Sequence, residues 1–315
     1  MALKIVRDTE HCPLSAQGAV IALGNFDGVH AGHRAIINEA KAIAKRLGTV
    51  PAVMTFEPHP REFFSREKTR LRMYPLAQKL ELLEEAGIEL VFMMRFNKKL
   101  ASTPAKAFVD DILHGQLKAK HVVTGYNFAF GKGREGDTQA LADYAQQAGF
   151  GYTACPQVQV EGKTVSSSEI RRLLAGGDIE SADRLLGEPY RLRGRVRPGA
   201  QRGRTIGFPT ANLAIAPLFK PCYGVYAVRA RVGNHGIWHR AIANIGVKPT
   251  FNPSEPLLEV HIFDFNEMIY GKILEVEFLE FLRPEMCFVS VEALVQQIEK
   301  DVAHARQVHY EEGQP

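Results

Sequence analysis

Cysteine is scarce. The chain of 315 residues has four, Cys12, Cys155, Cys222 and Cys287. None forms a CxxC pair or stands with histidine at zinc-finger spacing, so neither a disulfide framework nor a structural zinc is expected. Long apolar runs are also missing. None approaches the roughly 18–20 residues a membrane span needs, and the first ten residues lack the apolar core of a secretory signal. A cytoplasmic chain with no membrane partner is therefore expected. Charge of one sign is not in excess: 39 Lys and Arg against 35 Asp and Glu leave +4. So small a surplus does not by itself imply nucleic acid or an anionic lipid surface. No Walker A loop, GxGxxG fingerprint, internal repeat or low-complexity linker is present.

What remains is ordinary globular composition, 45% hydrophobic and 23% charged. At ~100–200 residues per domain, two domains are expected. Up to about residue 186, apolar runs (Ala19–Leu23, Ala52–Phe56, Leu90–Met94, His121–Thr124) alternate with helical patterns. One helical face carries Ile36, Ile37, Ala40, Ile43, Ala44 and Leu47 and stops at Gly48. A second opens at Pro75 with Leu76, Leu80 and Leu83. A third opens at Thr103-Pro104, and Asp137 caps a fourth. This order predicts an α/β domain with a parallel sheet. From about residue 187, β-rich runs broken by Gly, Pro and Asn (Tyr223–Val232, Ile237–Ile245, Leu257–Phe263, Ile273–Leu282) predict an antiparallel barrel or sandwich, closed by a terminal helix. The domain boundary is set at 186/187.

The first strand runs into Gly24-Asn25-Phe26-Asp27-Gly28-Val29-His30-Ala31-Gly32-His33, where an open parallel sheet binds its ligands. A helix start offers free N–H groups and a positive dipole, and Gly28 and Gly32 allow close approach to a ligand. His30 and His33 can donate to phosphate. Two histidines three apart could equally be metal ligands or incidental. Ser166, Ser167 and Ser168 open another helix one turn before Arg171, a polyphosphate cradle or a plain serine cap. Further on, Arg191, Arg193, Arg195 and Arg197 alternate with smaller residues, placing four guanidiniums on one strand face, and Arg202 and Arg204 follow. Nucleic-acid contact, a solvated barrel wall and a loop over nucleotide phosphates all fit that pattern. Thr210 and Asn212, in Pro209-Thr210-Ala211-Asn212, are neutral oxygen ligands suited to Mg²⁺, or simply turn residues. Glu259, between apolar Leu258 and Val260, is either a solvated strand carboxylate or a working one.

The HxGH pattern resembles the nucleotidylyltransferases. Together with Thr55-Phe56-Glu57-Pro58-His59-Pro60, Gly125–Gly131, Val165–Arg171, the PTAN turn, Tyr223-Gly224-Val225-Tyr226, Asn244–Phe251, Leu258–Ile262 and Phe281–Glu285, all in order, the chain resembles the bacterial bifunctional riboflavin kinase/FMN adenylyltransferase family, also called FAD synthetases. It departs from the commoner pattern at Asn127, Ala129 and Ser168, where that pattern carries Asp, Arg and Thr.

The resemblance implies a Rossmann-like nucleotidylyltransferase domain over 1–186 and a six-stranded riboflavin kinase barrel over 187–315. Riboflavin, FMN, FAD and ATP would be substrates and products, with Mg²⁺ as cofactor and no nucleic acid. ATP for adenylylation would meet Gly24, Asn25, Phe26, Asp27, Gly28, His30, Gly32, His33, Ser166, Ser167, Ser168 and Arg171. FMN would meet His59, Asn127 and Phe128. In the kinase, Gly194, Gly203, Arg204, Thr210, Asn212, Tyr223, Gly224, Asn244 and Arg283 would hold ATP or flavin, with Thr210 and Asn212 on Mg²⁺ and Glu259 as general base. The alternatives are a nucleotidylyltransferase with another phosphorylated acceptor, and an RNA-binding protein using the arginine strand.

Overall fold

The computed structural model describes residues 3–7, 9–65, 71–199, 202–215, 218–233, 236–247 and 256–311, with backbone alone at 202 and 309–311. They form two compact units: residues 1–72 with 76–167, and 73–75 with 168–315.

In the first unit, β1 (Lys4–Val6), β2 (Val20–Leu23), β3 (Pro51–Glu57), β4 (Leu90–Arg95), β5 (His121–Gly125) and β6 (Gly151–Cys155) make one sheet in the order β1-β4-β3-β2-β5-β6, every pair parallel. Strands β2 and β4 are buried almost throughout, as a sheet covered on both faces requires. Its helices are α1 (Ala31–Leu47), α2 (Pro60–Phe64), α3 (Leu76–Glu85), α4 (Lys98–Ala101), α5 (Ala105–Ala107) and α6 (Thr138–Ala148), and a small hairpin, β7 (Gln159–Val160) and β8 (Lys163–Thr164), follows. From β2 the chain moves to β3 and β4 on one side, then returns to β5 on the other. The strand order thus reverses at the carboxyl end of β2, the place where such sheets open a crevice.

Helix ends follow the sequence in most places. Gly48 closes α1 at φ 60°, a left-handed cap open to glycine. Asp137 accepts the Ala140 N–H at 2.9 Å to cap α6. Thr103 does otherwise. Its hydroxyl donates to the Lys99 carbonyl, and the carboxylate of Glu135 accepts the Ala105 N–H at 2.7 Å in its place. After α5 the helix widens to π-helical turns over Phe108–Gln116.

In the second unit, α7 (Ser167–Gly176) and α8 (Ile179–Leu186) precede the barrel strands β9 (Arg191–Arg197), β10 (Ala211–Ala214), β11 (Gly224–Val232), β12 (Trp238–Val247), β13 (Pro256–Ile262) and β14 (Ile273–Pro284). A short turn, α9 (Arg202–Thr205), lies between β9 and β10, and α10 (Val291–Glu311) ends the chain. The strands close in the order β10-β13-β12-β11-β14-β9, all antiparallel. Leu192, Val196, Leu213, Tyr226, Val228, Leu258, Val260 and Phe278 are buried inside. Ala305 and Val308 of α10 pack on Val225, Ala227 and Ile242, which lie on the outer side of the wall.

The arginine strand is part of that outer wall. Arg191 and Arg193 reach the buried carboxylate of Glu275 at 3.5 and 3.4 Å, Arg231 reaches it at 2.5 Å, and Arg229 pairs with buried Glu277. Arg231 also lies 4.5 Å over the Trp238 ring. Of the three readings of the arginine run, a barrel wall is the one that fits Arg191 and Arg193, which are held by carboxylates across the strands. Removing one partner of such a network strands buried charge. Glu275→Gln is expected to cost about 3 kcal/mol, read as a lower denaturant midpoint. An unchanged midpoint would show the arginines to be held by solvent.

Candidate active sites

Strand β2 delivers the first site. Gly24 continues it by one bond, its N–H donating to the Met54 carbonyl at 3.1 Å. The loop then turns through backbone that side chains adopt at a cost, with Phe26 at φ 50° and Val29 at φ 42°. Phe26, Asp27, Val29 and His30 are all buried. His30 caps α1: its Nδ1 accepts the His33 N–H at 3.3 Å. The two imidazoles stack with centroids 3.6 Å apart, and Phe26 lies 5.1 Å from His33. Burial, then His30, then Lys79 push the His33 pKa well below its usual range, so this ring is neutral at pH 7. Its Nδ1 is enclosed without a hydrogen-bond partner.

The other expected residues are held in different ways. The Ser167 hydroxyl donates to the Asp27 carbonyl at 2.9 Å, tying the serine motif to the loop. Ser168 and Arg171 fall on α7, in the second unit, and Arg171 is buried rather than solvated. His59 caps α2, its Nδ1 accepting the Arg61 N–H at 3.1 Å, and is buried. Asn127 is exposed in the turn after β5, and Phe128 stacks on Phe130 at 5.7 Å.

Lys79 was not anticipated. It is buried on α3, and its ammonium donates to the Asn25 carbonyl at 2.6 Å and to the Thr55 hydroxyl at 2.7 Å. The face α3 buries is Gln78, Lys79, Leu82 and Leu83, not the Leu76–Leu80–Leu83 stripe. The sequence signal was a cation three and four residues before two leucines of one helical face.

The barrel builds the second site by register. Asn212 on β10 stands opposite Glu259 on β13, and Glu259 stands opposite Asn244 on β12. Asn244 faces Val225, which faces Arg283. Cross-strand partners share a face, so these five side chains line the outer wall at one level while Leu258 and Val260 point inside. The Asn212 amide donates to the Thr210 carbonyl at 3.4 Å, which leaves its Oδ1 free to serve a cation. His261, on the Glu259 face, contacts the Pro209 carbonyl through Nδ1 at 2.8 Å; a carbonyl only accepts, so Nδ1 carries the proton and braces the PTAN turn. The Phe208 N–H closes back on the Gly203 carbonyl at 2.8 Å, and a Cβ at Gly203 would overlap the Phe208 carbonyl oxygen, which fixes glycine there. Arg204 is exposed, Gly194 packs near Leu213, and Gly224 lies against the Arg283 backbone. Tyr223 has an enclosed hydroxyl without a hydrogen-bond partner. Arg283 is committed differently from expectation: its guanidinium grips buried Asp301 of α10 through two nitrogens at 2.9 and 2.6 Å. The motif residues Lys248, Pro249, Thr250 and Phe251 lie outside the described residues, as do Ala200 and Gln201.

Two family models match the chain, "FAD synthetase" over residues 12–169 and "Riboflavin kinase" over residues 186–309. The bifunctional riboflavin kinase/FMN adenylyltransferase of Bacillus subtilis is 41% identical over 91% of both chains. The chain belongs to this family. Members from Haemophilus influenzae and Escherichia coli K12 are 38% and 36% identical, covering 96% and 97% of this chain and 98% and 97% of their own. A solved structure titled "Macrolide-efflux Protein" from Streptococcus pneumoniae superposes with a TM-score of 0.84 at 30% identity, covering 97% of this chain and 99% of that one. Among the described residues no helix is long and apolar enough to cross a membrane.

The His33 ring, part-buried with its Nδ1 enclosed, generates a direct expectation for this family member. Its C–H resonances should not titrate between pH 6 and 8. A midpoint inside that window would contradict the burial on which its neutrality rests.

Proposed function

We propose that the chain carries out both ATP-dependent steps of flavin cofactor assembly: riboflavin and ATP give FMN and ADP, then FMN and ATP give FAD and pyrophosphate. What carries this reading is that each matched family segment holds its own phosphate-handling loop, HxGH at the end of β2 and PTAN at the start of β10. Nothing in the comparisons favours another acceptor or RNA. We place the adenylyltransferase at 1–186 and the kinase at 187–315, in the cytoplasm.

In the kinase, Glu259 takes the proton of the ribityl 5′-hydroxyl as its oxygen attacks the γ-phosphorus and ADP leaves. Its neighbours Asn212 and Asn244 supply uncharged polar groups on either side. Oxygen donors such as Thr210 and Asn212 suit Mg²⁺, which keeps water and phosphate oxygens in its shell and neutralises their charge when bound. Gly194, Gly203, Arg204, Tyr223 and Gly224 are assigned to the ATP and flavin site. Arg283 acts first as the anchor of α10.

In the adenylyltransferase, the FMN phosphate is already an anion and needs no base. Its oxygen attacks the α-phosphorus, and the bond to the β-phosphate oxygen breaks. His30, neutral His33 and the N–H groups opening α1 stabilise charge that builds on the phosphates. Gly24 to Gly28, with Ser166 and Ser167, shape the loop. Contacts of Ser168 and Arg171 with ATP, and of His59, Asn127 and Phe128 with FMN, rest on the motifs.

Two substitutions test the division of labour. His30→Ala should lower FAD formation by about 100-fold and spare FMN formation. Glu259→Ala should lower FMN formation by about 100-fold and spare adenylylation of supplied FMN. Joint loss of both activities in either folded variant would refute separate sites, and a full kinase rate in Glu259→Ala would remove it as the base.

A further inference from the structure

Lysine is rarely buried unless a carboxylate pairs with it. Lys79 is buried, yet both of its hydrogen bonds go to neutral oxygens, the Asn25 carbonyl and the Thr55 hydroxyl. Thr55 itself donates to the same Asn25 carbonyl at 2.9 Å, so that carbonyl would keep a donor without the lysine. An ammonium has three N–H groups, and the third has no protein acceptor among the described residues. The groups that face it are Glu57 of β3, Asp27 of the loop, Arg72 before α3 and the His33 ring. Packing alone does not call for a charge at such a place.

We propose that Lys79 is a positioning residue for AMP transfer: it pins Asn25 from beneath and sets a fixed positive charge under the loop that receives the ATP phosphates. This rests on the HxGH loop being the adenylylation site. Pinning Asn25 holds the entry to the turn at Phe26 and Val29, whose positive φ values need outside support. The charge is present at pH 7 but within reach of titration. Burial lowers the Lys79 pKa to about 8, opposed by Glu57 and Asp27 and assisted by Arg72. The folded chain therefore binds fewer protons here than the unfolded chain between pH 8 and the ordinary lysine range of about 10.4, and stability contributed at this site rises with pH across that window. Burial of the ammonium offsets its hydrogen bonds, so an apolar side chain of similar length in its place should leave the thermal midpoint unchanged while Asn25 loses this tie.

The test uses the full chain carrying Lys79→Met, assayed for FAD formation from FMN and ATP between pH 6.5 and 9.5. FMN formation from riboflavin and the thermal midpoint are measured on the same preparation. The expected result is a fall in kcat for FAD formation of at least about tenfold, unchanged FMN formation and a midpoint that does not drop. The parent enzyme should lose FAD-forming rate as pH rises through about 8, as the ammonium is titrated, and Lys79→Met should lack that limb. Retention of kcat within about twofold, persistence of the same alkaline limb, or a lowered midpoint with both activities falling together would each overturn the proposal. His30→Ala separates the two readings: if it too leaves FAD formation intact, the site assignment fails, and if it alone abolishes FAD formation, only the lysine inference fails.

Discussion

The pairing of β13 with β10 on one side and β12 on the other decides which face of the barrel wall carries Glu259. Side chains alternate along a strand, so a slip of one residue would send Glu259 into the interior and push Leu258 or Val260 out. The apolar interior forbids that slip, because Leu258 and Val260 are almost wholly enclosed. Register thus converts a hydrophobic constraint into a chemical one. Asn212, Glu259 and Asn244 arrive at one level of the outer wall because their strands cannot sit in any other alignment. His261, two residues on, uses the same face to hold the PTAN turn.

The parallel sheet reaches a similar end by other means. Reversal of strand order at β2 leaves its carboxyl end open, and the loop there is clamped from several sides: Met54 on Gly24, Lys79 and Thr55 on Asn25, and Ser167 on Asp27. Charge is distributed accordingly. Arg191 and Arg193 of β9, with Arg229 and Arg231 of β11, are held by Glu275 and Glu277 and stiffen the wall. The loop after β2 instead gathers an imidazole held neutral, the N–H groups that open α1 and one buried ammonium. The small net charge of +4 therefore says little about where charge gathers in the fold.

Much of this was legible in the sequence. Strands β2 to β5 and β11 to β14 announce themselves as apolar or alternating runs, and Gly48 and Asp137 mark helix ends by local chemistry. Both loops stand out because their residue types suit phosphate and Mg²⁺. What was illegible depends on partners far along the chain. Glu135 supplies the cap expected of Thr103 across 30 residues. Arg283 looks like a ligand arginine until Asp301 is seen to claim it. Strand β1 has only three residues and takes its register from β4. Lys79 reads as a surface cation until α3 is rotated by its packing.

The central claim is one chain with two sequential ATP-dependent sites. The most direct measurement is a time course of the purified protein with riboflavin, ATP and Mg²⁺, with flavins separated at each point. FMN should accumulate first and FAD should follow at its expense, each FAD accompanied by one pyrophosphate. Absence of FMN, or FMN that never proceeds to FAD with ATP in excess, would contradict the account.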